Sequence, residues 1–507
     1  MLRLKADALF WALACFLAAF IGLGSPAARA ATVLTPAISL PLSSGSSNRA
    51  FGVAITPDGK FAYVTDDLNA GNSFSVIDTA TNTVVGSPIP LPFTGAAPFH
   101  VAFTPDGKFA YVTAIAPNIG LNATAMVFVI DTQAAQNPAT QASAVVDTIT
   151  LSTALAVSGA ADYEGIAING SFAYVADTQT NTVVVIDTGS NTIVGSPIPV
   201  SSGATNIAIT PDGKSAYVTG NSGVSVIDTQ KAQNPATQAS ALVNTITFSG
   251  PTFSSATTGI AFTPDGKFAY VAQFNGGTVS VINTATGAVV GSPIVADTVV
   301  GPAGPMGIAI SPDGKSAYVT TWLDKTVAVI DTQKAQTPAT QASAVVNTLT
   351  VGLQAGGIAI TPDGQFAYVA NWGDATVSVI ALATLSSLPD GTLNTAYSST
   401  LTVSDAAAGA STFAVTTGSL PPGLSLDAAT GKITGTPTAT GSYSFTVTAS
   451  GTVRGLTQVL PQDYTVTINA VTITTGAAPI PTLGETALAL LALLLGASAV
   501  AVKRRGR

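Results

Sequence analysis

Two tryptophans, each followed two residues later by an aspartate, have the types and spacing of a ligand site. They are Trp322 with Asp324 and Trp372 with Asp374, and Phe274 occupies the matching position one repeat earlier. Aromatic faces beside carboxylates can stack on a sugar ring or hold a cation. These five residues are therefore candidates for ligand binding. The alternative, in which the aromatic rings only cover the edges of loops, stays open.

A second candidate site combines the single histidine of the chain with an amide and four acids. His100 and Asn206 stand where the other five repeats have glycine, and we expect those glycines to leave the space around them open. Acidic side chains from nearby loops could join them around a divalent cation such as calcium. The candidate metal ligands are Asp66, Asp162, Glu164 and Asp177. A lone histidine also serves simply as a hydrogen-bonding loop residue.

Sequence patterns that identify common enzyme classes are absent. The chain has no Gly-x-Ser-x-Gly, no His-Glu-x-x-His, no phosphate loop and no Cys-His cluster. Its only cysteine, Cys15, lies in the apolar N-terminal run, so we expect neither disulfides nor cysteine catalysis in the mature chain. Between the two chain ends lie 11 positive and 24 negative residues, a charge that disfavours nucleic acid as a partner. The sequence does not establish an enzyme.

Seven copies of one phrase must position these residues. Each copy is a variant of Gly-Ile-Ala-Ile-Thr-Pro-Asp-Gly-Lys-Phe-Ala-Tyr-Val-Thr and is followed by a segment ending in Val-Ile-Asp-Thr. The alternation of large and small residues predicts strands, and the spacing between copies is typical of β-propeller blades. The tyrosines that mark the copies are Tyr63, Tyr111, Tyr174, Tyr217, Tyr270, Tyr318 and Tyr368.

The turns and the chain ends complete the predicted ring. Pro-Asp-Gly predicts a tight turn between the first two strands of a blade, so its Asp and Lys are structural. In the third copy, Asn169 and Gly170 predict a shorter hairpin. The seventh copy lacks a fourth strand, and residues 33–41 resemble it, so we expect the N-terminal segment to close the ring. The Ala- and Gln-rich links that begin at Asp131, Asp228 and Asp331 are expected to be solvated decoration rather than a self-association surface.

These repeats resemble the YVTN family of seven-bladed propellers, whose layout is related to that of lactonase-type propellers. The resemblance covers residues 31–385 and rests on the repeated Ala-Tyr-Val-Thr or Ala-Tyr-Val-Ala. It implies the fold, whereas the architecture hosts enzymes, binding modules and surface proteins alike. Residues 386–470 resemble the Ig-like domains of bacterial surface proteins through Leu-Pro-Pro-Gly-Leu and Gly-Lys-Ile-Thr-Gly-Thr-Pro. The predicted fold class is therefore all-β, a seven-bladed propeller followed by a small β-sandwich.

Both ends of the chain carry targeting signals. Arg3 and Lys5, the apolar run at 8–23 and the small residues at 28–30 predict a secretory signal peptide over residues 1–30, cleaved after Ala30. At the other end, Ile-Pro-Thr-Leu at 480–483 precedes an apolar stretch and a basic cluster.

The C-terminal pattern resembles the IPTL-CTERM sorting signal, a relative of PEP-CTERM tails. The resemblance implies that an exosortase-type enzyme processes the tail and that the source is a Gram-negative bacterium. Residues 471–507 would form a linker and this tail, whose transmembrane segment at 487–502 is the only membrane contact expected. A plain C-terminal anchor is the alternative.

We expect an exported, secreted or surface-associated binding or scaffold protein that contacts surface polysaccharide or envelope proteins. The first alternative is a divalent-metal-dependent, lactonase-like hydrolase that uses the mouth of the propeller channel. The second is a structural layer protein without a ligand. Metal binding that depends on the acids favours the hydrolase, polysaccharide binding without turnover favours the binding protein, and self-assembly favours the layer.

Overall fold

The computed structural model describes residues 31–41, 49–66, 72–93, 95–117, 122–155, 164–201, 203–221, 223–248, 257–296, 304–382, 385–403 and 411–471. The predicted signal peptide, the sorting tail and Asp162 lie outside these residues. Within them, no helix is long and apolar enough to cross a membrane.

Each repeat forms one antiparallel blade, and the strands of every blade follow one another in space as they do in sequence. The chain begins with β1 (Thr32–Ser39). Blade 1 contains β2 (Ala50–Ile55), β3 (Phe61–Asp66), β4 (Ser73–Asp78), β5 (Thr83–Val84) and β6 (Ile89–Pro90); blade 2 contains β7 (Ala97–Phe103), β8 (Phe109–Pro117), β9 (Asn122–Asp131) and β10 (Val145–Leu155). Blade 3 contains β11 (Ile166–Asn169), β12 (Phe172–Asp177), β13 (Thr182–Asp187), β14 (Thr192–Ile193) and β15 (Ile198–Pro199); blade 4 contains β16 (Ile207–Ile209), β17 (Ser215–Gly220), β18 (Gly223–Asp228) and β19 (Leu242–Thr247).

The remaining blades repeat this layout. Blade 5 contains β20 (Thr257–Phe262), β21 (Phe268–Gln273), β22 (Thr278–Asn283) and β23 (Ala288–Val295); blade 6 contains β24 (Pro305–Ile310), β25 (Ser316–Thr321), β26 (Thr326–Asp331) and β27 (Val345–Thr350); blade 7 contains β28 (Ala355–Ile360), β29 (Phe366–Asn371) and β30 (Thr376–Ala381).

The blades close into a ring of seven. Their innermost strands contact one another around the whole circle, in the order β2, β7, β11, β16, β20, β24 and β28, and β28 contacts β2 again. Blade 7 takes its outer strand from the N-terminus, because β1 pairs antiparallel with β30 through Val33 with Ile380 and Ile38 with Val377. The predicted closure of the ring by the N-terminal segment is confirmed.

The tyrosine that marks each repeat is buried, and five of the seven tyrosines donate a hydrogen bond to the next blade. Tyr63 donates its hydroxyl to the carbonyl oxygen of Thr132 in blade 2 at 3.3 Å, and equivalent bonds join blade 3 to 4 and blade 5 to 6. Tyr368 of blade 7 donates to the Oδ1 atom of Asn82 in blade 1 at 2.6 Å. Because a buried hydroxyl needs a partner, the same residue recurs wherever two blades meet.

The Pro-Asp-Gly turns have the structural role predicted for them. Asp58 accepts hydrogen bonds from the Thr56 hydroxyl at 2.7 Å and from the Lys60 backbone N–H at 3.1 Å, and Gly59 has a φ of 75°. The same arrangement recurs in other blades. In blade 3, the shortened hairpin turns at Gly170, which has a φ of 59°.

The long links of blades 2, 4 and 6 hold blades together, which corrects the prediction that they are solvated decoration. Each link forms one short α-helix followed by a 3₁₀ turn. The elements are α1 (Thr132–Ala135) with Gln141–Ser143, α2 (Thr229–Ala232) with Gln238–Ser240, and α3 (Thr332–Ala335) with Gln341–Ser343.

The glutamine that opens each 3₁₀ turn is buried and bonds to the preceding blade. The Gln141 amide donates to the carbonyl oxygen of Val85 at 2.8 Å and accepts from the backbone N–H of Ser87 at 3.2 Å. Gln238 and Gln341 repeat both bonds. The links therefore fasten blades 1 to 2, 3 to 4 and 5 to 6. A sequence rich in Ala and Gln did not reveal this role, because the buried amides look like surface residues.

The C-terminal domain is a small sandwich, as predicted. One sheet contains β33, β36 and β37, with β31 parallel to β37, and the other contains β32, β35 and β34. The strands are β31 (Gly391–Thr392), β32 (Tyr397–Thr400), β33 (Thr412–Gly418), β34 (Leu424–Leu426), β35 (Lys432–Gly435), β36 (Gly441–Val453) and β37 (Leu456–Asn469).

The sandwich is docked on the propeller where blades 7 and 1 meet. The hairpin between β36 and β37 turns at Arg454 and Gly455, both with positive φ, and flanking Val453 and Leu456 are buried in one cluster with residues of blades 1 and 7. Strand β37 also pairs with β1 through Thr457. A single eight-stranded sheet thus runs from blade 7 through β1 into the sandwich.

Candidate functional site

One mouth of the ring is held in place by threonines of the repeated Tyr-Val-Thr. The Thr65 hydroxyl accepts from the backbone N–H of Gly52 at 2.8 Å and donates to the carbonyl oxygen of Phe99 in the next blade at 2.7 Å. Thr113, Thr219 and Thr320 donate in the same way to their next blades. The residues that accept these bonds start the innermost strands. We call this position the collar, which is formed by Phe51, Phe99, Glu164, Thr205, Thr258, Met306 and Gly356.

The glycines after the collar allow blades to approach closely, and Gly259, Gly307 and Gly357 also line a cavity at the mouth. A Cβ atom at Gly52 would lie 2.0 Å from the Phe99 carbonyl oxygen, and one at Gly259 would lie 2.3 Å from that of Met306. Neither distance leaves space for a side chain. The sequence showed small residues but not the neighbouring backbone that requires them.

The predicted aromatic residues come together on this mouth. Phe51, Phe99, Ile115 and Met306 form a buried cluster, and the partly buried Phe274, Trp322 and Trp372 pack against it. The two indole rings lie with centroids 5.2 Å apart and planes inclined by 45°.

Two exposed leucines extend these aromatic rings. Leu323 is 48% exposed and Leu353 is 36% exposed. The carbonyl oxygen of Leu353 accepts from the backbone N–H next to Trp372 at 2.9 Å. The aromatic patch, defined as Phe274, Trp322, Leu323, Leu353 and Trp372, is therefore an apolar surface of the kind that binds ligands or partners.

Sequence reasoning missed Arg49, which belongs to this site. Its guanidinium carbon lies 3.8 Å from the centre of the Trp372 ring, and its backbone N–H donates to Asp66 at 2.8 Å. Arg49 is one of the few cations between the two chain ends and directly precedes an innermost strand. This combination is the sequence signal that could have identified it. The predicted acids play lesser parts: Asp374 accepts from the Leu353 backbone N–H, and Asp324 lies half-buried in its turn.

A cavity in the centre of the ring is lined by collar residues and by the residues that directly follow them. Its volume is about 330 Å³, including the part open to solvent, and its lining includes Phe51, His100, Asn206 and Met306. His100 and Asn206 thus do share one space, as predicted. The Asn206 Oδ1 atom accepts from the backbone N–H of Ile207 at 2.8 Å, so its amide oxygen already serves the innermost strand.

His100 is neutral at neutral pH. Burial lowers the pKa of the imidazole to about 4, although a hydrogen bond with the backbone of Glu164 partly opposes this effect. Some of the residue's surface remains accessible, but its Nδ1 atom is buried and has no hydrogen-bond partner. The edge of Phe51 packs against the ring at 5.8 Å between centroids.

Of the predicted metal ligands, the three that the structure describes, Asp66, Glu164 and Asp177, are not grouped with His100 as a metal site. Asp66 accepts from Arg49 and from the Ser73 hydroxyl, and burial raises the pKa of its carboxyl group. Asp177 of blade 3 accepts from Ser152 at 2.6 Å and from two backbone N–H groups of its own turn. Glu164 is fully buried at the collar. Among the described residues, no three His, Cys, Asp or Glu side chains are grouped as a metal site.

Family models match four parts of the chain. The seven-bladed β-propeller lactonase model matches residues 292–396, and the LVIVD repeat model matches residues 160–193. The model described as "Putative Ig domain" matches residues 379–469, and the IPTL-CTERM motif matches residues 478–506. The chain therefore carries a segment similar to lactonase-type propellers, an Ig-like domain and a sorting motif, whereas its assignment to the YVTN family stays a prediction. The sorting motif indicates export to the cell envelope and processing by an exosortase-like enzyme.

Solved structures agree on the propeller. A chain of hydrazine synthase from Kuenenia stuttgartiensis is 24% identical with a TM-score of 0.50, and the match covers 67% of this chain and 99% of that chain. At this identity the likeness shows the fold alone. No curated protein matches the chain.

Proposed function

We propose that this protein is a surface or envelope protein of a Gram-negative bacterium whose aromatic patch binds surface polysaccharide without turnover. The observation that carries the proposal is the pair of half-buried indole rings, 5.2 Å apart, at the mouth of the ring. The sorting motif supports the location, because it directs the protein to the envelope where such polysaccharides lie.

The patch suits an amphipathic ligand such as a sugar chain. Sugar rings offer C–H faces that stack on aromatic rings while their hydroxyls remain in water. Backbone bonds hold both tryptophans in place, from the Trp322 N–H to Gly304 at 3.2 Å and from the Trp372 N–H to Gln354 at 3.0 Å. A pre-formed aromatic surface loses little conformational entropy when it binds.

Isothermal titration with oligosaccharides released from the producer's surface polysaccharide tests this function. We expect saturable binding that Trp372→Ala weakens by about fivefold to tenfold, because one stacked ring contributes about 1 to 1.4 kcal/mol. Val243→Ala is the matched control, since Val243 is 50% exposed on the outer strand of blade 4. Equal weakening by both substitutions, or no binding to wild type, contradicts the proposal.

The second candidate function is the metal-dependent, lactonase-like hydrolase, which the lactonase match over residues 292–396 favours. The positions of Asp66 and Asp177 argue against it, because each carboxylate is bonded within its own surroundings. Turnover of simple lactones that chelation abolishes and calcium restores would establish the hydrolase. Oligosaccharide binding that is unchanged by chelation supports the binding protein.

A further inference from the structure

Blade junctions share a groove of the same construction. Its walls are the Pro-Asp-Gly turns of two neighbouring blades and the turn that follows the third strand of the second blade. At the junction of blades 7 and 1 these walls are Pro362 with Asp363, residues 58–61 and residues 78–80. About 690 Å³ of this groove remains beside the Arg454 side chain.

Arg454 of the Ig-like domain occupies the groove at this closing junction. Its Nη1 atom donates to the Thr79 carbonyl oxygen at 2.9 Å, and its guanidinium carbon lies 3.9 Å from the centre of the Phe366 ring. The Asp363 carboxylate lies 4.0 Å from Nη2. The turn of blade 7 carries Gln365 where five other turns carry lysine, so the arginine supplies the cation there.

Four other junctions are filled by the repeats themselves. At junctions 1/2, 3/4 and 5/6, the helical link of the second blade supplies the carbonyl oxygen that receives the tyrosine hydroxyl. At junction 2/3, Asn191 accepts from Tyr111 at 2.6 Å and donates to Asp147 of the blade 2 outer strand at 2.9 Å.

The groove at junction 4/5 has the same walls and no such filling. It measures about 930 Å³, including the part open to solvent, and its lining includes Asp212, Tyr217 and Thr284. These residues correspond in the repeat to Asp363, Tyr368 and Thr79 of the closing junction. Gly287 stands where blades 1 and 3 have the asparagine that accepts from the tyrosine hydroxyl, so this acceptor is missing at junction 4/5, although the Asn244 amide lies beside Gly287.

We propose that the groove at junction 4/5 is a docking site for an arginine side chain on a tight β-hairpin of a partner protein. The guanidinium donates to the Thr284 carbonyl oxygen and lies beside the Asp212 carboxylate, as Arg454 does with Thr79 and Asp363 at the closing junction. The bond between Arg454 and Thr79, two residues that are 375 positions apart in the sequence, is an example of this interaction within the chain itself.

Charge at the groove is compatible with this occupant. Asp212 pairs with Lys214 at 3.3 Å, but both side chains are more than half exposed. Such pairs are weak and exchange readily, so an incoming guanidinium can replace the ammonium group. Ser215 stands where Phe366 stacks on Arg454, which makes the empty groove wider and the expected binding weaker than at junction 7/1.

Fluorescence anisotropy with a labelled hairpin peptide that copies residues 447–462 tests the site on the full-length protein. The groove at junction 7/1 already holds the protein's own Arg454, and substitutions at junction 4/5 show whether the peptide binds in that groove. We expect the peptide to bind at least tenfold more tightly than its arginine-to-alanine counterpart. Asp212→Asn, which keeps an acceptor in the turn, is expected to weaken binding about threefold.

Two further variants make the result specific. Ser215→Phe supplies the missing ring and is expected to tighten binding about twofold to fivefold. Asp427→Asn makes the same change in an exposed turn of the Ig-like domain, where the aspartate also accepts from two backbone N–H groups, and should leave binding unchanged. Equal binding of both peptides, no binding of either, or indifference to both Asp212→Asn and Ser215→Phe would overturn the proposal.

Discussion

The propeller mouth has an aromatic side and a polar side. Both are formed by collar residues, which occupy the same position in each repeat, but the side chains have different roles. On one side, collar residues Phe51, Phe99 and Met306 support the aromatic patch. On the other, the Thr205 hydroxyl donates to the backbone of blade 5 at 2.5 Å, and that of Thr258 donates to blade 6 at 2.9 Å. The polar side therefore uses its hydrogen-bonding groups to join blades, whereas the aromatic side keeps part of its surface exposed.

This difference shows that polar residues at a mouth are not by themselves a site. On the polar side a ligand would have to break hydrogen bonds between blades, which costs free energy. On the aromatic side it would only displace water. Binding is therefore expected on the aromatic side.

Phe51→Ala should have the largest effect, because Phe51 is the residue that both sides share. It packs its edge on Phe99 and on His100, and it is only 3% exposed. Removing the ring should lower the free energy of unfolding by about 3 kcal/mol. Because the imidazole becomes more hydrated, the pKa of His100 should rise from about 4 towards its ordinary value. Urea unfolding measures the change in the free energy of unfolding, and NMR titration of the single histidine measures the change in its pKa. An unchanged pKa would show that Phe51 does not connect the two sides.

Gly52→Ala should be next in size, since its Cβ atom would meet the Phe99 carbonyl oxygen at 2.0 Å. We expect a loss of about 2 kcal/mol and a lower melting temperature. Gly189→Ala is the control, because its nearest neighbour would be a carboxylate oxygen at 3.2 Å. If the two substitutions cost the same, the collar is not closely packed and the contrast between the sides weakens.

Acid should destabilise the protein through His100. Its folded pKa of about 4 lies below the ordinary value of 6.5, so the unfolded chain binds the proton first as the pH falls. The stability contributed by neutral His100 is complete above pH 6.5 and is lost progressively down to about pH 4.

Comparison of urea unfolding at pH 7 and pH 4.5 measures this loss. His100→Asn, which copies the residue of blade 4 at the same position, should show a smaller difference between the two pH values. An equal difference in wild type and variant would place the pH dependence in the carboxylates instead.

Arg49→Ala should have the smallest effect and should concern the aromatic side alone. It removes the guanidinium from the Trp372 ring but keeps the backbone bond to Asp66. We expect a loss of about 0.5 to 1 kcal/mol and a shift of the tryptophan emission maximum. The His100 titration should not change; if it does, the two sides are coupled.

The sequence predicted the elements whose signals are local or repeated. The strands, the turn at Gly59, the ring closure by β1 and the gathering of Trp322 with Trp372 all follow from comparing the repeats with one another. Contacts between distant segments were not predictable in this way. Gln141 reaches back 56 residues to Val85, and the neighbouring backbone that requires Gly52 belongs to another blade. Sequence spacing also did not show that hydrogen bonds already satisfy the carboxylates of Asp66 and Asp177.

The most direct test of a ligand site on the aromatic side is the intrinsic fluorescence of Trp322 and Trp372, recorded during titration with surface oligosaccharides, simple lactones and calcium. Single Trp322→Phe and Trp372→Phe variants assign the signal, and the double variant sets the baseline. We expect a saturable change in emission with oligosaccharide. Both single variants should retain part of this change, and the double variant should lack it. Emission that responds to calcium or lactones, and not to oligosaccharide, would contradict this expectation.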